Sequence, residues 1–244
     1  MIDRQAQADI PRTLTIIVPV LNELEGLPAL VQHLDQVGAE QIIIVDGGSG
    51  DGSFAWLRNS WEDRDAGRIA MQSTAGRARQ MNAGVWLASC DLLLFLHSDS
   101  RLPQNAKQQI LAARERQSVW GRFDIEFETT ANFRSVMWVI ALFINIRSRL
   151  SSIATGDQAI FVDYEVFRAV GGYPEIPLME DVALSKTLKR VGVPHCSTLR
   201  VSTSARRWEQ GGAIKTVLLM WYFRLAYFCG VSPQRLADQY RDIR

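Results

Sequence analysis

The residues able to do chemistry in this chain gather where apolar runs stop. Leu92-Leu93-Leu94-Phe95-Leu96 gives way to His97-Ser98-Asp99-Ser100, and Ile42-Ile43-Ile44-Val45 ends at Asp46. A third run, Leu14 to Val20, leads into Asn22-Glu23. Short unbroken apolar runs are what strands buried on both faces look like. In an open α/β sheet, ligands bind just beyond the C-terminal strand ends. A lone carboxylate at such an exit can hold a divalent cation, which usually arrives with phosphate oxygens. Three exits delivering polar residues to one rim point to a nucleotide site.

The elements that must position these residues follow from periodicity. Strands are expected at Leu14–Val20, Gln41–Asp46, Arg68–Gln72 and Asp91–Leu96. Helices are expected at Glu25–Gln36, where Leu27, Leu30, Val31 and Leu34 share a face, at Ala75–Ser89, and at Gln104–Gln117 behind Pro103. Between the second and third strands, Asp51 or Ser53 can cap a further helix. Strands alternating with helices mean an α/β fold with a mostly parallel sheet covered on both faces. From Trp120 the texture changes. Gly121–Glu128 alternates, with Phe123, Ile125 and Phe127 inward, as a strand with one wet face does. Ala131–Leu150 reads as an apolar helix, Gln158–Val162 as a strand, and Met179–Val191 and Gln210–Cys229 as helices. No repeat or linker interrupts the chain, so one domain is expected. It divides into a tail (1–12), a nucleotide half (13–103), an acceptor half (104–210) and a C-terminal apolar helix with its tail (211–244).

Composition narrows the partners. The net charge of +1 over 244 residues supplies no general field for nucleic acid. There are 23 Arg and 4 Lys. Arginine grips phosphate and carboxylate side-on, which suits an anionic substrate, although codon bias explains the bulk of them equally well. Cys90, Cys196 and Cys229 have neither metal spacing nor a disulfide pattern, which fits a reducing cytoplasm. The first twelve residues hold no apolar signal core. No run reaches the ~18–20 apolar residues of a spanning helix, and Val136–Ile146 and Thr216–Val231 come partway. A cytoplasmic protein is expected, with the inner face of the membrane open as its place of work. His33 and His195 read as surface or loop residues.

Asp46-Gly47-Gly48-Ser49-Gly50-Asp51-Gly52 admits three readings. It satisfies the Asp-x-Gly-x-Gly-x-Gly turn of many S-adenosylmethionine methyltransferases. Such folds want an acid at the next strand end for the ribose hydroxyls. Here the next strand leads into Ser73-Thr74-Ala75-Gly76, with no acid. A plain glycine-rich connector is the second reading, and a part of the nucleotide site at the strand exits the third.

Val18-Pro19-Val20-Leu21-Asn22-Glu23, then Val45-Asp46-Gly47-Gly48-Ser49-Gly50-Asp51-Gly52-Ser53, then His97-Ser98-Asp99, resembles the family-2 glycosyltransferases with the Rossmann-like GT-A fold. Gly76-Arg77-Ala78-Arg79-Gln80-Met81-Asn82-Ala83-Gly84, Gly156-Asp157-Gln158, and Gly171-Gly172-Tyr173 followed by Met179-Glu180-Asp181 extend the resemblance. It spans roughly residues 13 to 210 and is nearest to a bacterial subgroup of small single-domain members. Each motif alone is weak; several in register are strong.

The resemblance implies an inverting, metal-assisted transfer of sugar from a UDP- or GDP-linked donor to an acceptor hydroxyl. Asp46 would accept from the uracil N3–H or guanine N1–H, with Pro19 and Glu23 lining the base and ribose wall. Asn22, Gly48, Asn82 and Ser98 complete the implied nucleotide set. Arg77 or Arg79 would reach the base or diphosphate, and since they stand about 200° apart on a helix, only one can. Asp99 would hold Mg²⁺ or Mn²⁺. The family's first acid is replaced here by His97, which either contacts the ion or closes the strand by a hydrogen bond. Asp181 would be the general base, beside Glu180, although an acid in a first helical turn is also favourable in itself. Gly156, Asp157 and Gln158 fall on the acceptor side. Arg207-Trp208 keeps part of a Gln-x-x-Arg-Trp motif, for diphosphate and acceptor, or is a basic patch beside the last helix. A catalytically silent sugar-nucleotide binder is the other outcome of the imperfect metal motif. Lys215 to Gly230 carries aromatics around nearly its whole circumference, as do core helices, dimer interfaces and interfacial membrane helices. Trp138 and Phe143 can join that surface, so a lipid or polyprenyl acceptor is among those admitted.

Overall fold

A computed structural model describes residues 13–61 and 67–243. Strands β1 (Leu14–Val20) and β2 (Gln41–Asp46) are buried at every position. They run parallel, with Val20 opposite Asp46, and β3 (Arg68–Gln72) continues the register with Gln72 opposite Asp46. On the other side of β1 lies β4 (Leu92–Phe95), also parallel, with Phe95 opposite Ile17. Consecutive β1 side chains serve two cores, as strand pleating requires. Ile16, Val18 and Val20 pack on Leu27, Leu30 and Leu34 of α1 (Leu27–Val37), together with Leu57 of α2 (Ser53–Trp61) and Ile110 of α4 (Ala106–Glu115). Ile17 packs with Ile43 and Val45 on Ala78, Met81 and Val85 of α3 (Arg77–Trp86). A Cβ at Gly84 would come 2.6 Å from Ile17, so the glycine is what lets α3 sit this close.

The remaining elements are β5 (Ser100–Arg101), β6 (Trp120–Glu128), α5 (Arg134–Ser151), β7 (Phe161–Asp163), α6 (Tyr164–Ala169), α7 (Glu180–Val191), β8 (His195–Ser204), α8 (Arg206–Gly211), α9 (Ala213–Phe228) and α10 (Pro233–Ile243). One eight-stranded sheet, ordered β3-β2-β1-β4-β7-β6-β8-β5, joins both halves of the chain. All pairs among β1 to β4 are parallel, β7 runs antiparallel to both of its neighbours, and β5 is antiparallel to β8. The Rossmann-like GT-A architecture expected from the sequence is present.

Several expectations need correcting. The outer face of β6 is wet only at Glu126 and Glu128; at its other end Arg122 and Asp124 are buried as an ion pair against α5. Arg149 reaches the same carboxylate at 2.6 Å, and Asn145 brackets the Ile125 backbone at 2.9 and 3.0 Å. Residues 156–158 form a 3-10 turn, and the strand starts only at Phe161. The last expected helix is two, α8 and α9, broken at Gly212 with φ 79°. β5, β8 and α10 were not anticipated. His33 and His195 are half-buried: His33 Nε2 accepts the Leu102 amide at 2.9 Å, and His195 meets Gln109. The tail before residue 13 lies outside the described residues. Among the described residues no helix is long and apolar enough to cross a membrane.

Candidate active site

The rim is built by register. β1 and β2 end level, so the loop after β2 folds against the exit of β1. Gly47 N–H donates to the Val20 carbonyl (2.9 Å), Asn22 N–H to Ser49 Oγ (2.8 Å), and Gly50 N–H to Asn22 Oδ1 (2.9 Å). Asp51 stitches the same corner. Its two oxygens accept from Leu24 N–H and from both the amide and hydroxyl of Ser53. Glu23, half-buried, donates its amide to Ser53 Oγ. Pro19 is buried opposite Val45. Gly48 stands at φ 88° and Asn22 at φ 54° in the left-handed region.

Asp46 is fully buried at the centre of this corner. Its Oδ1 accepts from Gly48 N–H, Ser49 N–H and Gln72 Nε2 at 2.9, 3.0 and 3.2 Å. Burial pushes its pKa up, but these hydrogen bonds outweigh burial and hold it below the ordinary aspartate value. Oδ2 is buried and has no partner among the described residues. A buried carboxylate oxygen without a donor is costly, so this atom is the natural acceptor for a ligand N–H. Gln80 completes the corner. Its Nε2 donates to the carbonyls of Val20 and Val45, both at 2.8 Å, pinning the ends of β1 and β2 together. Sequence reasoning quoted Gln80 within a motif and gave it no role; a polar residue on the buried face of an otherwise regular helix was the available signal.

Of the two arginines on α3, Arg79 pairs with Glu175 at 3.3 Å, while the charge of Arg77 acts on Glu180. The helix thus turns Arg77, and not Arg79, toward the acidic pair. Asn82 spends both ends of its amide on the Tyr173 backbone, at 2.8 and 3.0 Å, and so braces the segment between α6 and α7.

Past β4 the chain exposes Asp99, which accepts only a long bond from Ser100 Oγ (3.4 Å), and half-buries Ser98 and His97. The imidazole lies against Gly156 so closely that a Cβ there would come within 2.4 Å of Nε2. Gly156 N–H in turn donates to Asp181 Oδ2 at 2.7 Å. These contacts tie the β4 exit to the start of α7. The preceding residue, Met179, is held at φ 70°, a left-handed conformation rare outside glycine. Burial raises the pKa of Asp181, opposed by hydrogen bonds from Gly156 and Val182. Glu180 is pushed up to about 7, first by burial and then by the charge of Asp181.

Behind this pair, Gln158 Oε1 accepts the Thr155 amide, while Gln158 Nε2 and Asp157 Oδ1 are buried without partners. Arg147 of α5 and Arg224 of α9 both act electrostatically on Asp181. Sequence reasoning missed both. Trp208 is 6% exposed and packs edge-on to Phe127 in the cluster that fastens α9 to α5, so it is a core residue and not an acceptor platform. The side chain of Arg207 lies outside the described residues.

Among the described residues no three His, Cys, Asp or Glu side chains are grouped to hold a metal ion. Asp99, a single exposed carboxylate, fits an ion that brings most of its ligands as phosphate oxygens and water.

The sequence pattern of glycosyl transferase family 2 matches residues 15–170, well over half of the chain. The chain belongs to glycosyl transferase family 2. Among curated members, an undecaprenyl-phosphate 4-deoxy-4-formamido-L-arabinose transferase of Yersinia pestis is 31% identical over 111 residues, 43% of this chain and 34% of that protein. Its counterpart in Yersinia pseudotuberculosis serotype O:3 (strain YPIII) is 31% identical over 134 residues, 50% of this chain and 41% of that protein. The match thus spans less than half the length of these relatives. Among solved structures, the mannosyltransferase PcManGT of Pyrobaculum calidifontis, in complex with GDP-Man and Mn²⁺, superposes with a TM-score of 0.64 at 13% identity, covering 96% of this chain and 70% of that one. S. aureus TarS in complex with UDP-GlcNAc gives 0.59 at 14% identity, covering 79% and 58%. At such identities the likeness is one of fold. Family membership removes the methyltransferase reading of the glycine loop, which is folded back on its own Asp46.

Proposed function

We propose that this family-2 glycosyltransferase moves a sugar from a UDP- or GDP-linked donor to an acceptor hydroxyl with inversion, and that the acceptor is a lipid. The reading is supported by the contact run from His97 through Gly156 to Asp181, which joins a carboxylate of raised pKa to the strand exit that carries Asp99. Asp46 Oδ2 accepts from the base N–H, Pro19 and Glu23 wall the nucleoside, and Arg77 reaches toward the diphosphate. Asp99 would hold Mg²⁺ or Mn²⁺, whose charge offsets that developing on the leaving diphosphate. Asp181 takes the proton of the acceptor hydroxyl as its oxygen bonds to the anomeric carbon, and the bond from that carbon to the nucleoside diphosphate breaks, the diphosphate leaving with the electron pair. A raised pKa suits a carboxylate to this exchange. The two structural neighbours hold UDP- and GDP-sugars and the curated relatives are named for a polyprenyl-phosphate acceptor, which supports the donor and acceptor classes. The exposed apolar side chains of α5 and α9, among them Trp138, Phe143, Trp221 and Leu225, suit work at the inner face of the membrane.

Asp181→Asn is the test. General-base catalysis contributes about 10²–10⁴-fold, so sugar transfer falls by that factor while UDP or GDP binding, read by calorimetry with Mn²⁺, stays within about threefold. Equal losses of binding and turnover would remove Asp181 from this role. Metal-dependent hydrolysis across a panel of nucleotide sugars identifies the donor and excludes a silent binder.

A further inference from the structure

Arg147 is placed in an unusual way. It sits near the C-terminal end of α5, and among the described residues only its Nη1 has a partner, the Ile153 carbonyl at 3.3 Å. Nε and Nη2 are buried and make no hydrogen bond. Those two N–H groups form the side-on edge of a guanidinium, the edge that grips two oxygens of one phosphate. Burying it empty is costly. The obvious partners do not take it: Asp157 and Asp181 act on Arg147 through their charge, yet neither forms an ion pair with it, and Asp157 Oδ1 is itself unpartnered. The charge of a second cation, Arg224 of α9, is felt by both Arg147 and Asp181.

The surroundings say what kind of anion fits. On α5, Phe143 and Leu150, 66% and 84% exposed, lie four residues before and three after Arg147, on its side of the helix. On α9, Trp221 and Phe228, 70% and 55% exposed, flank Arg224 in the same way. Each arginine interrupts an apolar stripe, and the charges of both act on Asp181. A cationic head site between two apolar stripes is complementary to a phosphate on a hydrocarbon chain.

We propose that Arg147, through its Nε and Nη2 edge and assisted by Arg224, binds the phosphate of a prenyl-type phosphomonoester acceptor, whose phosphate O–H is the acceptor hydroxyl that Asp181 deprotonates and whose tail lies along α5 and α9. This rests on the glycosyltransferase reading and adds the group by which the acceptor is recognised.

Farnesyl phosphate, farnesol and inorganic phosphate serve as probes, measured by calorimetry in the presence of Mn²⁺ with UDP or GDP. Farnesyl phosphate is expected to bind at least tenfold tighter than either of the others, which separates a lipid phosphate from a free one. Arg147→Gln should lose at least tenfold of that affinity. Arg147→Lys should recover only part, because a point charge cannot grip two oxygens, and Arg224→Gln should lose a few-fold. Normal farnesyl phosphate binding by Arg147→Gln would overturn the proposal. So would an equal loss of UDP or GDP affinity, which would assign the edge to the donor diphosphate, or preference for inorganic phosphate. If Arg147→Gln does not fold, unchanged binding by Arg147→Lys and Arg224→Gln overturns it. Nucleotide binding without farnesyl phosphate binding sinks this inference alone; absence of metal-dependent nucleotide binding sinks the glycosyltransferase reading itself.

Discussion

The two ends of the site are held by different physics. Around Asp46 the backbone does the work: strand ends in register, amides folded onto a carboxylate, a glutamine bridging two carbonyls, and a pKa below the ordinary value. Around Asp181 the work is electrostatic. Two adjacent carboxylates are buried with raised pKa values, and a buried arginine keeps two donors unpaired. The first region is satisfied except for one oxygen; the second holds charge at a cost. The difference suggests that the donor end is a rigid cradle and the acceptor end a site poised to change protonation.

The sharpest way to break the comparison is at Asp46. In Asp46→Asn a carbonyl can still accept from Gly48 and Ser49, so the loop survives. The orphan Oδ2 becomes an NH₂ facing the ligand N–H, donor against donor. UDP or GDP affinity should fall by about 1–3 kcal/mol, roughly five- to 150-fold, and at neutral pH the melting temperature should fall by what the ionised carboxylate contributes. The native pKa is lowered, so the carboxylate contributes stability above its unfolded value of about 3.9 and loses it as pH falls through the folded one. The variant should therefore be less sensitive to acid than the wild type below about pH 4. Unaltered nucleotide affinity would show that the orphan oxygen faces no ligand.

At the acceptor end the comparison is sharpened by moving charge. Arg224→Gln removes a positive neighbour of Asp181, whereas Glu180, with a pKa of about 7, is already neutral where Asp181 gains its proton. The acid limb of the kcat/KM profile should move to higher pH in Arg224→Gln and stay in place in Glu180→Gln. The raised pKa of Glu180 also makes a stability prediction of opposite sign to that of Asp46. Its contribution is full below an unfolded value of about 4.3 and is lost as pH rises through about 7. Glu180→Gln should gain stability relative to wild type across that interval, read by thermal unfolding. An unmoved acid limb in Arg224→Gln would mean that this cation does not act on the catalytic carboxylate.

The same contrast explains what the sequence made legible. Ile42 to Asp46 and Leu92 to His97 can be read because a fully buried strand is an unbroken apolar run whose polar exit is visible. β8 could not be read, because its buried positions include Ser197 and Thr203, small polar residues satisfied inside the sheet, as by Ser100 Oγ at 3.2 Å from Thr203 Oγ1. Arg122 on β6 looked like a solvated face until α5 covered it. Arg147 reads as one of several cations ending a helix, an ordinary response to the helix dipole. Only tertiary structure shows that its donors are enclosed. Backbone-made sites leave a pattern along the chain, whereas sites made by enclosing charge do not.

The smallest effect tests the division of labour on α3, where the spacing alone left two arginines open. Arg79 is about half exposed and paired with an exposed Glu175, so Arg79→Ala should cost no more than about 0–1 kcal/mol of stability and little nucleotide affinity. Arg77 carries no ion pair among the described residues and its charge holds the Glu180 pKa down. Its removal should weaken UDP or GDP binding several-fold and raise the Glu180 pKa further. That would shift the alkaline loss of stability to higher pH. Calorimetric titration of both variants with one nucleotide decides between them. A larger loss in Arg79→Ala would mean that α3 presents its other face to the donor, and that the acidic pair and the nucleotide corner are not bridged by this helix.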